Sequence, residues 1–544
     1  WAIKEDNLLG YSTAGTRFIP QPITMTRASA GTRVNSSGLV ETVELLGSEQ
    51  VTNGGFDTTI PIGTAGSGWA KVVSGDCTVE YDNGGVKLTQ ANVGSQDCKV
   101  YAQTVGGSNN LLIVGKQYKV TYEVVSNNNS TSLKYYRGGS YLDINHTVGT
   151  HTFYYEQETN QLSIFWNLTA NSDITLDNVS VKESTKNNLA RVDYDGTASS
   201  LLAEPERTNL ITYSEDFSNA DWIKSAASVV SGFTSPDGTD NAFKLVEDTS
   251  TGIHRISVDG ITVVTEKYSV SIYAKSDGRN EIRVSLANYF SSGTDAYFNL
   301  DTKVITLGFL AENGLIETLS NGWFRCSFTS KNVGFAGGNA KVYIDTALNG
   351  STSYTGDGTS GVYIYGAQLE EGSYGTSYIP TSGSTVTRVQ DQYTKTGISN
   401  LINSEEGVLF VEMAALSNSG NYRLITLSDG TTSNRVFIGF RLDTGYIYYF
   451  VIVGGSTVAS HITSTTSLDF SKVAVKWKAN DFALWINGSE ISTDTSGSSF
   501  TANTLNTLQM NEGDGSGFEF HGKVKQLQVF KTALSDSELA TLTT

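Results

Sequence analysis

Apolar and polar positions alternate along most of this chain. Residues 118–125 read YKVTYEVV and residues 268–275 read YSVSIYAK, a period of two that sends successive side chains to opposite faces of a strand. Gly- and Asn-rich punctuation recurs at Gly84-Gly85, Gly106-Gly107, Asn127 to Asn129 and Gly138-Gly139. Spacing of about 8–12 residues between turns marks sandwiches or barrels rather than βαβ units. Jelly rolls are the natural form, because two stacked sheets hide most strand edges. One helix is expected, over LSDSELATL, where Ser535 as N-cap and Glu538 three residues on make a capping box.

The pattern repeats. VTNGGFDTTIPIGTAGSGW (51–69) pairs with ITYSEDFSNADW (211–222), matching Phe56 with Phe217 and Trp69 with Trp222. SDITLDNVSVKEST (172–185) closes the first copy as SGVYIYGAQLEEGS (360–373) closes the second. The expected organisation is an N-terminal extended or anchoring segment (1–45), one sandwich over 46–184, a polar connector (185–208), a second sandwich over 209–380, another connector (381–395) and a third sandwich over 396–544. In the third, EGVLFVEMAAL, NRVFIGFRL, GYIYYFVIV, KVAVKWKA and DFALWING are successive strands, with Asn487-Gly488 as a tight turn. The fold class is therefore all-β, as tandem β-sandwiches.

Composition narrows the function. Charged residues are 17%, Gly is 55 and Pro only 6, while Tyr at 27 and Phe at 23 are too many for a disordered chain. A net charge of −18 without Lys/Arg clusters excludes nucleic acid as partner, since phosphate binding requires such clusters. It equally disfavours an anionic membrane surface. No apolar run reaches the ~18 residues of a membrane helix, so no membrane insertion is expected. The N-terminus lacks a signal-peptide layout and a starting Met, which suggests that translation began upstream. Cys77, Cys98 and Cys326 are too few to staple the chain. Cys77 and Cys98 lie in neighbouring expected strands, where a disulfide and two free thiols are both open; Cys326 alternates as a core residue.

ITMTRASAGTRVNSSGLVETV near the start, LARVDYDGTASSLLAEPERTNLITYSEDF at 189–217 and GAQLEEGSYGTSYIPTSGSTVTRVQD at 366–391 resemble segments of tailed-bacteriophage appendage proteins. In such proteins the first two stretches usually run together, so residues 46–184 read as a module inserted between them. The repeated units resemble carbohydrate-binding modules of the jelly-roll type, the first through NGGF, a following Trp and LDNVSV. That resemblance implies a structural Ca²⁺ near the two chain ends, with Asp177 as ligand and Asp57 as partner. The second copy has Tyr365 opposite Asp177, which puts a shared metal site there in doubt. KVAVKWKANDFALWINGSEI and HGKVKQLQVFKTALSDSELATL resemble the late strands and terminal helix of the laminin-G and concanavalin A-like superfamily. The resemblances imply a virion protein exposed on the particle, with other virion proteins and surface glycans as partners and a homo-oligomeric assembly. No cofactor is required on this reading.

Catalytic patterns are missing. No Glu-x-Asp-x-Glu strand presents paired carboxylates to one face; Glu370-Glu371 point oppositely, and Glu405-Glu406 precede a strand. The five histidines are scattered, without a His-x-x-x-His zinc helix, and GDGTSG and GDGSG read as hairpin turns. The expectation is no enzyme, which disfavours a polysaccharide-degrading spike; a purely structural head or collar decoration is the other alternative. Sugar rings stack on aromatic faces while amides and carboxylates take the hydroxyls. Tyr135, Tyr136, Tyr141 and Trp166 are the platform candidates of the first module, with Asp143 and Asn167 as hydroxyl partners. Tyr135 and Tyr136 point to opposite faces, so one is exposed. Trp166 shares parity with Leu162 and Ile164, leaving core and platform both open. In the third sandwich Trp477 reads as core, Trp485 as outer or concave face, and Tyr446, Tyr448 and Tyr449 as a second cluster whose alternative is a subunit interface.

Overall fold

The computed structural model describes residues 23–544 and the strand Leu9–Ser12, apart from 58–60, 64–66, 92–97, 103–111, 129–131, 137–139, 159–163, 168–170, 288–291, 332–337, 419, 443 and 467. The rest of the N-terminal segment therefore lies outside the described residues. Two compact units emerge: Glu44–Lys186, and Trp1–Val43 together with Asn187–Thr544. The regular structure of the described residues is nearly all strand, with one α-helix, Asp536–Thr543, and one short 3₁₀ turn. Alternation does what the pattern requires: Tyr118, Val120, Tyr122 and Val124 are buried, while Lys119, Thr121 and Glu123 between them are half-exposed.

The unit Glu44–Lys186 is a two-sheet sandwich. Its back sheet runs Cys77–Asp82, Gly85–Gln90, Ser172–Thr185, Gln117–Asn128, Gly149–Glu156; its front sheet runs Trp69–Val73, Cys98–Ala102, Ile164–Asn167, Leu133–Tyr136, Tyr141–Ile144. The second sandwich repeats both orders. Its back sheet is Ala227–Phe233, Ala242–Glu247, Gly361–Glu371, Tyr268–Asp277, Phe324–Ser330, Ala311–Thr318, and its front sheet is Trp222–Ser225, Arg255–Val263, Gly338–Ala347, Glu281–Ala287, Asp295–Asn299, Ile305–Leu307. Local details repeat as well. Phe56 lies 4.8 Å from Trp69 and Phe217 lies 4.9 Å from Trp222, and each indole N–H donates to a backbone carbonyl at the module's entry, Asn53 or Tyr213. Bulges interrupt both closing strands at matching points, with Asn178 and Gly366 each taking positive φ, 49° and 59°.

Cys77 and Cys98 form a disulfide with Cα atoms 5.6 Å apart, and Cys326 is buried as a free thiol. The two ends of this unit meet: Leu45 and Leu46 pair with Thr185 and Ser184. The Glu44 carboxylate takes hydrogen bonds from Lys119 and Tyr154, and the Lys186 ammonium sits 3.4 Å above the Tyr154 ring.

The third sandwich stacks two sheets around a core that includes Trp477, Tyr449, Phe440 and Phe520. Segments read as linkers are structural parts of it. Thr24–Thr26 and Gln392–Thr396 extend one sheet, and Arg191–Asp195 with Ala198–Ala203 extend the other through Gly522–Phe530. These strands lie largely within the stretches expected as connectors, 185–208 and 381–395, and within the expected N-terminal segment 1–45. These stretches are polar because their charges pair in the interior. Asp391 bridges Arg27 (2.6 Å) and Arg191, and Glu204 bridges Arg191 (2.6 Å) and Arg388 (3.0 Å); all five side chains are buried. Burial alone would raise the Glu204 carboxyl, but Arg388, Arg191 and Ser377 outweigh it and hold it well below the carboxylate range. A Cβ at Gly31 would fall 2.8–2.9 Å from the Arg27 and Arg191 side chains, so any larger residue would push these two ion-paired arginines aside. Residues 23–43, 189–217 and 366–391 thus converge on one cluster.

Candidate functional site

The front sheet of each duplicated sandwich turns one set of side chains inward and the other to solvent, and the outward set carries the candidate chemistry. In the first copy, Tyr135 faces in, fully buried, with its hydroxyl on Tyr155 (2.7 Å). Its platform assignment is therefore withdrawn: strand parity gives it to the core. Tyr136, one residue on, faces out. Its ring centroid lies 5.0 Å from that of Tyr141 at 44°, and Tyr141 is 45% exposed. Lys134 and Asp143, cross-strand partners, form an ion pair of 3.0 Å beside them. Register places Trp166 between Lys134 and Lys99, and Asn167 opposite Leu133; the side chains of Trp166 and Asn167 lie outside the described residues.

Following the register outward from Trp69 and Trp222 aligns the two faces. Lys99, Trp166, Lys134 and Asp143 correspond to Arg255, Asp345, Arg283 and Tyr297. In the second copy Asp345 sits between two guanidinium groups: Arg255 donates to it bidentately, Nε to Oδ1 at 2.8 Å and Nη2 to Oδ2 at 3.2 Å, and Arg283 Nε donates to Oδ2 at 2.8 Å. Burial outweighs both arginines and leaves the Asp345 carboxyl raised. Arg255 lies 4.2 Å over the Tyr343 ring and Arg283 lies 5.8 Å from the Tyr297 ring. This face was not assigned from sequence, yet its signal is there: EIRVSLA puts Arg283 and Ser285 on one side, and AKVYIDT puts Lys341, Tyr343 and Asp345 on one side.

The third sandwich corrects two more assignments. Trp485 does face outward from its sheet, but the C-terminal helix covers it through Leu539 and the preceding Leu534, leaving it 7% exposed. Tyr448 is buried between Phe437 and Tyr422, because neighbouring aromatic rings close over it; Tyr449 is core and Tyr446 is half-buried. Around Tyr448 runs an aromatic surface of Tyr422, Phe437, Phe450 and Phe518, the last exposed.

Asp57 and Asp177 come close enough for Asp57 to bear on Asp177. Burial first, then the charges of Glu123 and Asp57, raise the Asp177 carboxyl, partly offset by a hydrogen bond from the Asn178 amide. Among the described residues, no group of three or more His, Cys, Asp or Glu side chains is arranged to hold a metal ion. At the second copy's equivalent position, Tyr365 instead donates to Glu215 (2.9 Å).

Residues 408–540 match the family described as the concanavalin A-like lectin/glucanases superfamily. No curated protein matches the chain. Among solved structures, the chain is similar to the Ruminococcus gnavus IT-sialidase CBM40 bound to α2,3-sialyllactose, at 19% identity over 26% of this chain and 83% of that one, with a TM-score of 0.23. It is similar to the tandem CBM22-1–CBM22-2 of Paenibacillus barcinonensis Xyn10C at 14% identity, over 60% and 98%, with a TM-score of 0.21. Domain 4 of AbnA from Geobacillus stearothermophilus, in complex with arabinotriose, matches at 13% identity over 32% and 83%, with a TM-score of 0.22.

Proposed function

We propose that this protein is an adhesive virion appendage of a tailed phage that binds glycans without cleaving them. The observation that carries the binding reading is the paired front face. At the same sheet of both copies, tyrosines stand beside charged groups whose hydrogen bonds are fixed by cross-strand register: Tyr136 and Tyr141 with Lys134 and Asp143, Tyr343 and Tyr297 with Arg255, Asp345 and Arg283. Rings of this kind stack on pyranose faces, and Lys134 with Asp143 in the first copy and the part-exposed Arg255 and Arg283, anchored by buried Asp345, in the second offer groups already oriented for hydroxyls. Each face is shallow, so a single site binds weakly; several copies on one particle, in a homo-oligomer among other virion proteins, compensate through high effective concentration. The virion placement rests on the phage-like stretches, which meet in the buried Arg–Asp–Glu cluster. The Asp57–Asp177 pair is the proposed seat of a structural Ca²⁺.

The test is a glycan array probed with the multivalent protein, its Tyr141→Ala form and its Tyr343→Ala form, alongside adsorption to host cells. Specific signal that either substitution weakens supports the reading. A blank array, or variants that adsorb like the parent, removes it in favour of structural decoration. New reducing ends after incubation with surface polysaccharide would overturn the non-enzymatic part.

A further inference from the structure

The two front faces turn opposite polarity to solvent. In the first copy the Lys134–Asp143 pair presents its acid: the Asp143 side chain is 81% exposed and the Lys134 side chain 31%. In the second copy the acid is hidden and the cations are not. The Asp345 side chain is 0% exposed, while those of Arg255 and Arg283 on either side are 20% and 18% exposed. Both guanidinium groups are held in place by the same carboxylate. Arg255 directs Nε and Nη2 to its two oxygens, and Arg283 directs Nε and Nη2 to Oδ2. The ring of Tyr343 lies 4.2 Å from the Arg255 guanidinium and that of Tyr297 lies 5.8 Å from Arg283, which fixes the planes further. One nitrogen of each arginine is left over. Among the described residues Arg255 Nη1 has no hydrogen-bond acceptor, and the carboxylate oxygen facing Arg283 Nη1, Asp295 Oδ2, is 3.6 Å away, beyond hydrogen-bond reach. Neither Nη1 belongs to the buried polar atoms that lack a partner, so both are open to solvent. Lys341 and Asp259, farther along the same sheet, pair with each other.

We infer that the front face of the second sandwich accepts the carboxylate of an acidic sugar residue through Arg255 Nη1 and Arg283 Nη1, and that the first face does not share this preference. The inference rests on the glycan-binding reading and adds a substrate class to it, assigned to one copy. Two oriented donors with no acceptor between them call for a ligand that supplies acceptors. A carboxylate has two oxygens and no proton of its own, so it serves both N–H groups through charge-assisted bonds. A sugar hydroxyl is a neutral and weaker acceptor, and its own hydrogen needs an acceptor that hidden Asp345 cannot offer. Exposed Asp143 on the first face can take such a hydrogen and would repel a carboxylate. The overall charge of −18 does not forbid an acidic ligand, because at physiological salt charges beyond about 8 Å are largely screened.

The experiment compares a glucuronate-containing oligosaccharide with its carboxyl-reduced form and with poly-glutamate, using the full chain and its Arg255→Lys, Arg283→Lys, Tyr141→Ala and Asp143→Asn variants. The parent is expected to bind the acidic sugar about 10-fold more tightly than the reduced one, the low end for hydrogen bonds to a charged group, because the site is partly exposed. Each lysine variant keeps a cation against Asp345 but has a single nitrogen, which that ion pair occupies. Each should therefore lose most of the preference with little change in melting temperature, and either one suffices if the other folds poorly. Tyr141→Ala and Asp143→Asn, both on the first face, should keep the preference. Equal binding of the two sugars, a preference that survives in both lysine variants or vanishes in a first-face variant, or poly-glutamate bound as tightly overturns the acidic-sugar assignment while leaving glycan binding standing. No binding of any saccharide overturns both.

Discussion

The two copies of the duplicated sandwich share strand order, Phe–Trp entry and bulged closing strand, yet are held by different means. The first closes on itself: a disulfide joins Cys77 to Cys98, and Glu44, Lys119, Tyr154 and Lys186 clasp its ends. The second has no cysteine at the matching strands and belongs to a larger unit knotted by buried charges. The difference teaches that a sandwich core tolerates either covalent or ionic closure, while the front face diverges freely. Where the first copy has lysines around Trp166, the second has arginines around Asp345.

Breaking the ionic closure should have the largest effect. Asp391→Ala strands Arg27 in the interior and leaves Arg191 with Glu204 as its carboxylate partner, and removing one partner of a buried pair costs about 3–5 kcal/mol. Calorimetry should show the unit containing Asn187–Thr544 melting earlier, with the transition of Glu44–Lys186 unmoved; a shift of both would erase the contrast. The covalent closure comes next. Cys77→Ser with Cys98→Ser opens a loop of sequence separation 21, worth about 3 kcal/mol, and should lower the Glu44–Lys186 transition alone.

Acid sharpens the comparison further. Unfolded His titrates near 6.5 and folded His521 near about 4, so between those values the unfolded chain binds the extra proton. Stability of the larger unit is therefore complete above about 6.5 and lost as pH falls toward about 4, by up to roughly 2–3 kcal/mol. His521→Gln should flatten that part of the profile, measured as melting temperature against pH. Loss of the Glu204 contribution begins lower, as pH falls below the unfolded carboxylate range, because its folded value is depressed. The smallest effects belong to the faces. Tyr136→Ala and Tyr343→Ala should each weaken sugar binding by about 1 kcal/mol per site with little change in melting temperature, read by titration calorimetry.

Much of this architecture was legible in the residues. Period-two alternation and the matched Phe and Trp positions expose the duplication because the core selects them directly. Parity also separates Tyr135 from Tyr136, but does not say which face meets solvent. What covers a face is harder to read. Trp485 alternates outward as expected, yet the helix that buries it is contributed by residues some fifty positions later. The polar stretches 185–208 and 381–395 misled for a related reason. Low hydropathy reads as solvent exposure, whereas Arg191, Glu204, Arg388 and Asp391 satisfy one another in the interior across long sequence distances. The Arg255–Asp345–Arg283 ladder was hidden similarly, since cross-strand neighbours are set by register.

The adjacency of Leu45 with Thr185 has an evolutionary consequence. A segment whose ends already lie one strand spacing apart, about 5 Å, can be spliced into a surface turn at little more entropic cost than a hairpin, since loop-closure cost depends on end separation and grows only slowly with length. Recombination at those two points would exchange the whole of Glu44–Lys186, front face included, as a cassette. The exchange would replace that unit in one event, leaving the Arg–Asp–Glu cluster and the second sandwich to be inherited intact.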